Sequence, residues 1–202
     1  FISGGDVWIM DTELREPKQV TDTVEEEHSL LFGPDDKSLI FVSLRQGQSD
    51  IWKASPADNE RYWWMNDQFN LTQLTHDPEV ESNLQLSPTD EWIAFSRKNG
   101  DIWITHPDGK DGKMLHSSVL SPDYDWSPDG KWLVLADSDS DFNRDIWVLP
   151  IDGSSPSFNL SRHPDNEGTP RWSPDGKLIA FTGRRFDQEV DIYYVWLQAE
   201  DN

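Results

Sequence analysis

Cysteine is absent from this chain of 202 residues. Neither a disulfide frame nor a thiolate metal site is therefore open to it, and the redox compartment stays undetermined. Long apolar runs are missing too: none approaches the ~18 residues that a membrane-spanning helix needs. Basic side chains are scarce, with 17 Lys and Arg against 38 Asp and Glu, and the net charge of −21 repels phosphate backbones and anionic lipid. Neither nucleic acid nor membrane insertion is expected. Catalytic signatures are also lacking. The chain has no Gly-x-Ser-x-Gly, no His-Glu-x-x-His and no cysteine nucleophile, and the spacing of its histidines argues for neither a triad nor a metal site. No cofactor is expected. Phe1-Ile2-Ser3-Gly4-Gly5 has neither an initiator Met nor the basic start and apolar stretch of a signal peptide, and reads as the middle of a repeat.

What is present is a repeat. Ser127-Pro128-Asp129-Gly130 is followed by the apolar run Trp132-Leu133-Val134-Leu135 and then by Asp145-Ile146-Trp147. Ser173-Pro174-Asp175-Gly176, Leu178-Ile179-Ala180-Phe181 and Asp191-Ile192-Tyr193 repeat that order. Looser copies run from Gly33-Pro34-Asp35-Asp36 to Asp50-Ile51-Trp52 and from Ser87-Pro88-Thr89-Asp90 to Asp101-Ile102-Trp103, and Asp6-Val7-Trp8 keeps the second half alone. The aromatic positions Trp8, Trp52, Trp103, Trp147 and Tyr193 recur every 44 to 51 residues, a period that means a propeller or a solenoid.

Each unit has room for four short strands. Polar and apolar residues alternate ahead of the turn, as in Ser29-Leu30-Leu31-Phe32, which predicts an inner strand. Pro presets the first corner of the turn and Gly accepts the left-handed backbone, closing a hairpin into a second strand. That second strand is apolar throughout and suits burial on both faces. A third strand opens at each Asp-Ile-Trp. A short polar outer strand follows, at Lys18-Gln19-Val20-Thr21, Leu71-Thr72-Gln73-Leu74-Thr75, Lys113-Met114-Leu115-His116 and Ser157-Phe158-Asn159-Leu160. The expected fold is an all-β propeller of four-stranded antiparallel blades, read as one domain over 1–202 with repeats at about 1–23, 24–76, 77–117, 118–162 and 163–202. The first and last are partial. Three complete blades between two incomplete ones point to part of a six- or seven-bladed ring, with a closed five-bladed ring as the alternative.

These motifs resemble the WD-like propeller repeats of the TolB and tricorn-type proteins. Asn159-Leu160-Ser161-Arg162-His163-Pro164, Phe181-Thr182-Gly183-Arg184-Arg185 and the Trp63-Trp64 insertion are most similar to the amino-terminal propeller of bacterial tricorn-like serine proteases. The resemblance implies a non-catalytic scaffold that binds or channels peptide or protein, with the nucleophile in a separate domain of the parent chain. A TolB-like protein-interaction module and a lectin-like sugar-binding propeller are the alternatives. A periplasmic or secreted location is expected over a cytoplasmic one.

Four groups of residues are candidates for function. Glu27, Glu81, Ser121 and Glu167 stand six residues before the turns, where carboxylates of successive inner strands would form a ring at a channel mouth and bind a cation or a peptide amine. Alternatively, each bonds backbone amides locally. Asp137, Asp139 and Asp141 resemble the opening of a calcium loop, but Phe142 and Val148 stand where that loop needs Gly and a bidentate Glu. The repeated acids Asp6, Asp50, Asp101, Asp145 and Asp191 are expected to accept hydrogen bonds from turn amides, and the aromatic residues two positions on to pack in the cores. Finally, the insertion around Tyr62, Trp63, Trp64 and Phe69 either contacts a partner or folds back to cap its own blade.

Overall fold

The computed structural model describes residues 1–34, 36–139, 141–184 and 189–198. Asp35 of the first turn, Ser140 of the acidic run and Arg185 of the tricorn-like motif lie outside the described residues. The first sheet holds β1 (Ile2–Ser3), β2 (Asp6–Met10) and β3 (Pro17–Gln19). Three four-stranded sheets follow in chain order: β4 (Glu27–Phe32), β5 (Leu39–Ser43), β6 (Asp50–Pro56) and β7 (Phe69–Gln73); β8 (Glu81–Leu86), β9 (Ile93–Arg97), β10 (Asp101–Thr105) and β11 (Lys113–His116); β12 (Asp123–Trp126), β13 (Trp132–Ser138), β14 (Arg144–Pro150) and β15 (Phe158–Asn159). A last sheet holds β16 (Glu167–Trp172), β17 (Leu178–Gly183) and β18 (Asp191–Trp196). Every sheet is a meander in which consecutive strands pair antiparallel. Among the described residues the helical turns are short 3₁₀ pieces at Arg45–Gly47 and Trp63–Met65, and no helix is long and apolar enough to cross a membrane.

The turns show why the sequence folds this way. Gly130 N–H donates to the Ser127 carbonyl at 2.9 Å, Gly130 sits at φ 68°, and the Ser127 hydroxyl accepts the Trp132 amide at 2.9 Å. Gly176 repeats this at φ 72°, while Asp36 and Asp90 take the same left-handed place in the looser copies. The inner strands differ from expectation in one respect. β4, β8 and β16 begin two residues earlier than the alternation suggests, because each contains a bulge with a non-glycine residue at positive φ: Ser29, Asn83 and Thr169. A bulge shifts the side-chain phase and so breaks the two-residue period on which the reading relied.

Two compact units divide the chain, one of Phe1–Leu86, Asp90–Lys98 and Trp103–Lys113, the other of Ser87–Thr89, Asn99–Ile102 and Met114–Asn202. In the first, Val7, Val20, Leu39, Phe41, Trp52 and Ala54 form one core, and Ile40, Val42, Ile51, Ile93 and Phe95 form another. In the second, Val134, Ala136, Ile146, Ile179 and Phe181 pack together. The second strands contribute to both faces: successive residues of β5 point into different cores, which explains their unbroken apolar sequence.

Candidate functional site

The repeated acids are built into staples at the sheet ends. In the first repeat Gln19 Nε2 donates to Asp6 Oδ2 at 3.0 Å, the Thr21 hydroxyl donates to Glu27 Oε2 at 2.7 Å, and the Thr23 amide donates to Asp6 Oδ1 at 3.0 Å. Ser43, Thr23 and Arg45 also bond Glu27. The second repeat uses the same parts: Gln73 to Asp50 at 2.9 Å, Thr75 to Glu81 at 2.5 Å, and a paired contact from Arg97 to Glu81 at 3.1 and 2.5 Å. Burial pushes Asp50 and Glu81 above the ordinary carboxylate value, against the hydrogen bonds that each accepts. In the fourth repeat Asn159, Ser161 and the His163 amide converge on Asp145. Glu27, Glu81 and Glu167 are all buried, so the candidate ring residues lie inside protein where they are described, with Glu27 and Glu81 engaged by local hydroxyls and guanidinium groups.

The third repeat departs from this plan. Ser121 stands in the glutamate position, and Asp137 of β13 supplies the carboxylate, accepting from His116 Nε2 at 2.5 Å and from the Ser118 hydroxyl at 2.5 Å. Burial pushes Asp137 upward, but the His116 and Ser118 hydrogen bonds outweigh it and hold the group below the ordinary value. Asp101 receives the Ser117 hydroxyl and the Ser118 amide, both at 2.9 Å. Asp139 accepts the amides of Asp141 and Asn143 as a turn does. Among the described residues no group of three or more His, Asp and Glu is placed to hold a metal ion.

The aromatic insertion divides into two roles. Trp63 and Phe69 stack at 5.7 Å and pack on the Val7–Phe41–Trp52 core, and Trp63 Nε1 donates to the Asp36 carbonyl at 3.3 Å. Tyr62 and Trp64 stack on each other instead, at 4.7 Å and 4°, with Tyr62 mostly exposed. The buried Asn66 side chain closes the loop by bonding the Asp58 amide and the Tyr62 carbonyl. Trp52 lies in one core, Trp103 and Tyr193 pack against two others, and Trp8 and Trp147 are half-buried; guanidinium groups cover two of the five, Arg45 at 5.2 Å over Trp52 and Arg97 at 4.2 Å over Trp103.

One feature went unread in the sequence: an open cleft of about 570 Å³ lined by Pro34, Lys53, Trp92, His106, Asp108 and Asp111 among others. Trp92 and His106 stack there at 3.9 Å, and His106 Nδ1 lies 2.8 Å from the Glu91 carbonyl. Trp92 immediately precedes β9 and His106 immediately follows β10, so the hairpin register brings them together.

No family model matches the chain. An uncharacterized protein of Agrobacterium fabrum is 28% identical over 166 residues, covering 74% of this chain and 52% of that protein. A probable dipeptidyl-peptidase 5 of Aspergillus niger is 25% identical over 154 residues, covering 65% of this chain and 20% of that one. The chain thus spans about half, or less, of the length of these relatives. Among solved structures, the tricorn protease superposes with a TM-score of 0.72 at 10% identity, over 96% of this chain and 19% of that one. TolB of Acinetobacter baumannii gives 0.64 at 18% identity, over 94% and 46%. The fold is a TolB- and tricorn-type β-propeller. The oligogalacturonate lyase of Vibrio parahaemolyticus gives 0.64 at 12% identity, over 90% and 53%, so propellers of this type occur in proteins of different activity.

Proposed function

We propose that this chain is a non-catalytic propeller scaffold that binds or channels peptide or protein, as the amino-terminal part of a tricorn-like serine protease acting in the periplasm or outside the cell. The observation that carries the reading is the Tyr62–Trp64 stack: two parallel aromatic rings, Tyr62 exposed and Trp64 half-buried, held by a loop whose other aromatics, Trp63 and Phe69, pack against the core. Rigid, amphipathic aromatic side chains lose little conformational entropy on contact, which makes such pairs effective anchors for a polypeptide. Likeness to the tricorn protease structure and to a probable dipeptidyl-peptidase supports the protease setting. Asp6, Asp50, Asp101 and Asp145 are engaged in staples, which supports a scaffold role. Likeness to TolB supports the second reading, a protein-interaction module that would use the same loop.

The test is capture of peptides and proteins by the chain and by its Tyr62→Ala/Trp64→Ala variant. Loss of captured species at unchanged melting temperature is expected, and equal capture by both overturns the assignment of this loop. Hydrolysis of peptides by the purified chain itself would overturn the non-catalytic reading.

A further inference from the structure

Trp92 stands five residues after the turn residue Ser87, where the other repeats carry Ser38, Trp132 and Leu178. His106 stands five after Asp101, where they carry Asp11, Ser55, Pro150 and Trp196. A tryptophan and a histidine meet in this repeat alone, so the blade plan does not require the pair that lies in the open cleft. His106 Nδ1 is 2.8 Å from the Glu91 carbonyl, which can only accept; Nδ1 therefore carries the proton, and neutral His106 presents Nε2 as a bare acceptor. Asp111 Oδ2 lies 3.9 Å from that nitrogen. These are two acceptors too far apart to bond each other, and a donor placed between them satisfies both.

Asp90 and Glu91 bring further carboxylates to the same lining. Its cations are Lys53 and Lys110, and Lys110 is held by Asp108 at 2.6 Å. An indole face ringed by carboxylates suits a planar donor cation, and this chain answers that arrangement twice elsewhere. Arg97 lies 4.2 Å over Trp103 while bonding Asp77 and Glu81 at 2.6 and 2.5 Å, and Arg45 lies 5.2 Å over Trp52 while facing Glu27 at 3.4 Å. Among the described residues lining the cleft there is no guanidinium; the cation over Trp92 is the Lys113 ammonium, at 5.4 Å. We propose that the cleft is a docking site for an arginine side chain of an extended polypeptide. The guanidinium would rest on the Trp92–His106 pair and donate to His106 Nε2 and to the carboxylates of Asp90 and Asp111. It suits the place better than an ammonium because it is flat, weakly hydrated and able to donate to two acceptors at once. At about 570 Å³ and open to solvent, the cleft has room for the residues flanking the arginine, and a net charge of −21 on the chain favours a basic segment. The inference shares with the scaffold reading only that the ligand is a polypeptide, and it stands without the Tyr62–Trp64 loop.

The probe is a capped pentapeptide with a central arginine among glycine and serine, titrated into the isotope-labelled chain at low salt and followed by amide and indole shifts. Saturable perturbation of Glu91, Trp92 and the segment from His106 to Asp111 is expected. Citrulline in place of the arginine keeps the shape without the charge and should weaken binding about tenfold or more. Asp90→Asn/Asp111→Asn should do the same, and Asn tolerates the left-handed backbone of both positions, at φ 61° and 55°. Tyr62→Ala/Trp64→Ala should leave binding unchanged, so failure of this site and failure of that loop are read separately. Equal binding of the arginine and citrulline peptides, absence of saturation, or perturbation confined to other residues overturns the proposal. So does arginine amide binding as tightly as the peptide, because the occupant would then be a small molecule, or a neutral oligosaccharide perturbing the same signals at lower concentration than the peptide.

Discussion

The Thr75 hydroxyl donates to Glu81 at 2.5 Å, joining the segment just past the outer strand β7 of one sheet to the residue that begins the inner strand β8 of the next. The Ile51 amide completes the link, donating to the Thr75 hydroxyl at 2.8 Å. Sheet order along the chain is thus held by side chains as well as by connecting turns.

Thr75→Val should destabilise the chain by about 1–3 kcal/mol, because it removes two buried hydrogen bonds, one from the Ile51 amide and one to Glu81, and leaves the Ile51 amide only its longer 3.2 Å contact with Glu81. Thr75→Ser should recover most of that loss. Urea unfolding of the two variants provides the measurement, and equal midpoints would show that the hydroxyl is dispensable.

Arg97→Met leaves Glu81 buried without its guanidinium, a change that costs about 3–5 kcal/mol when the carboxylate is charged. Glu81 already lies above the ordinary carboxylate value through burial, and losing Arg97 raises it further. A raised acid binds its proton more tightly folded than unfolded, so stability falls as pH rises from the unfolded value toward the folded one. The deficit of the variant should therefore grow on going from pH 4 upward and level off above the folded value. A deficit independent of pH would refute this account.

Asp137 behaves in the opposite sense. Its folded value is depressed, so the stability it contributes is present above the ordinary value of 3.8 and is lost as pH falls through the folded one. Asp137→Asn should cost about 1–3 kcal/mol at neutral pH by weakening the bonds from His116 and Ser118. The gap to the parent should close below pH 3.8, as acid-unfolding curves of both proteins would show.

Within the insertion, Trp63→Ala should cost about 2–4 kcal/mol, since Trp63 packs on the Val7–Trp52 core. Trp64→Ala, which removes a ring stacked on the exposed Tyr62, should cost under about 1 kcal/mol. Thermal melts separate the two, and similar losses would mean that Trp64 also serves the core.

The all-β repeat was legible in the residues because two short-range devices write it out. Pro128 and Gly130 preset a turn, and Leu133-Val134-Leu135 can be satisfied only between two covering faces. The repeated acids read as acceptors of turn amides, but the donors to Asp6 and Asp145 lie well along the chain, as Gln19, Thr23 and His163 do. The partners of Glu27 and Glu81 are Ser43, Arg45 and Arg97, likewise brought close by strand register across hairpins. The substitution of Ser121 by Asp137 could not be seen in an alignment of repeats, because the carboxylate moves to a different strand while its place in space is kept. Folding likewise decided that Trp63 packs against an apolar core while Trp64 stacks on the exposed Tyr62: adjacent residues of one composition are sorted by what each of them meets. Spacing and turn chemistry act over a few residues and are written in order along the chain, whereas burial and charge pairing depend on which distant segments the sheets bring together.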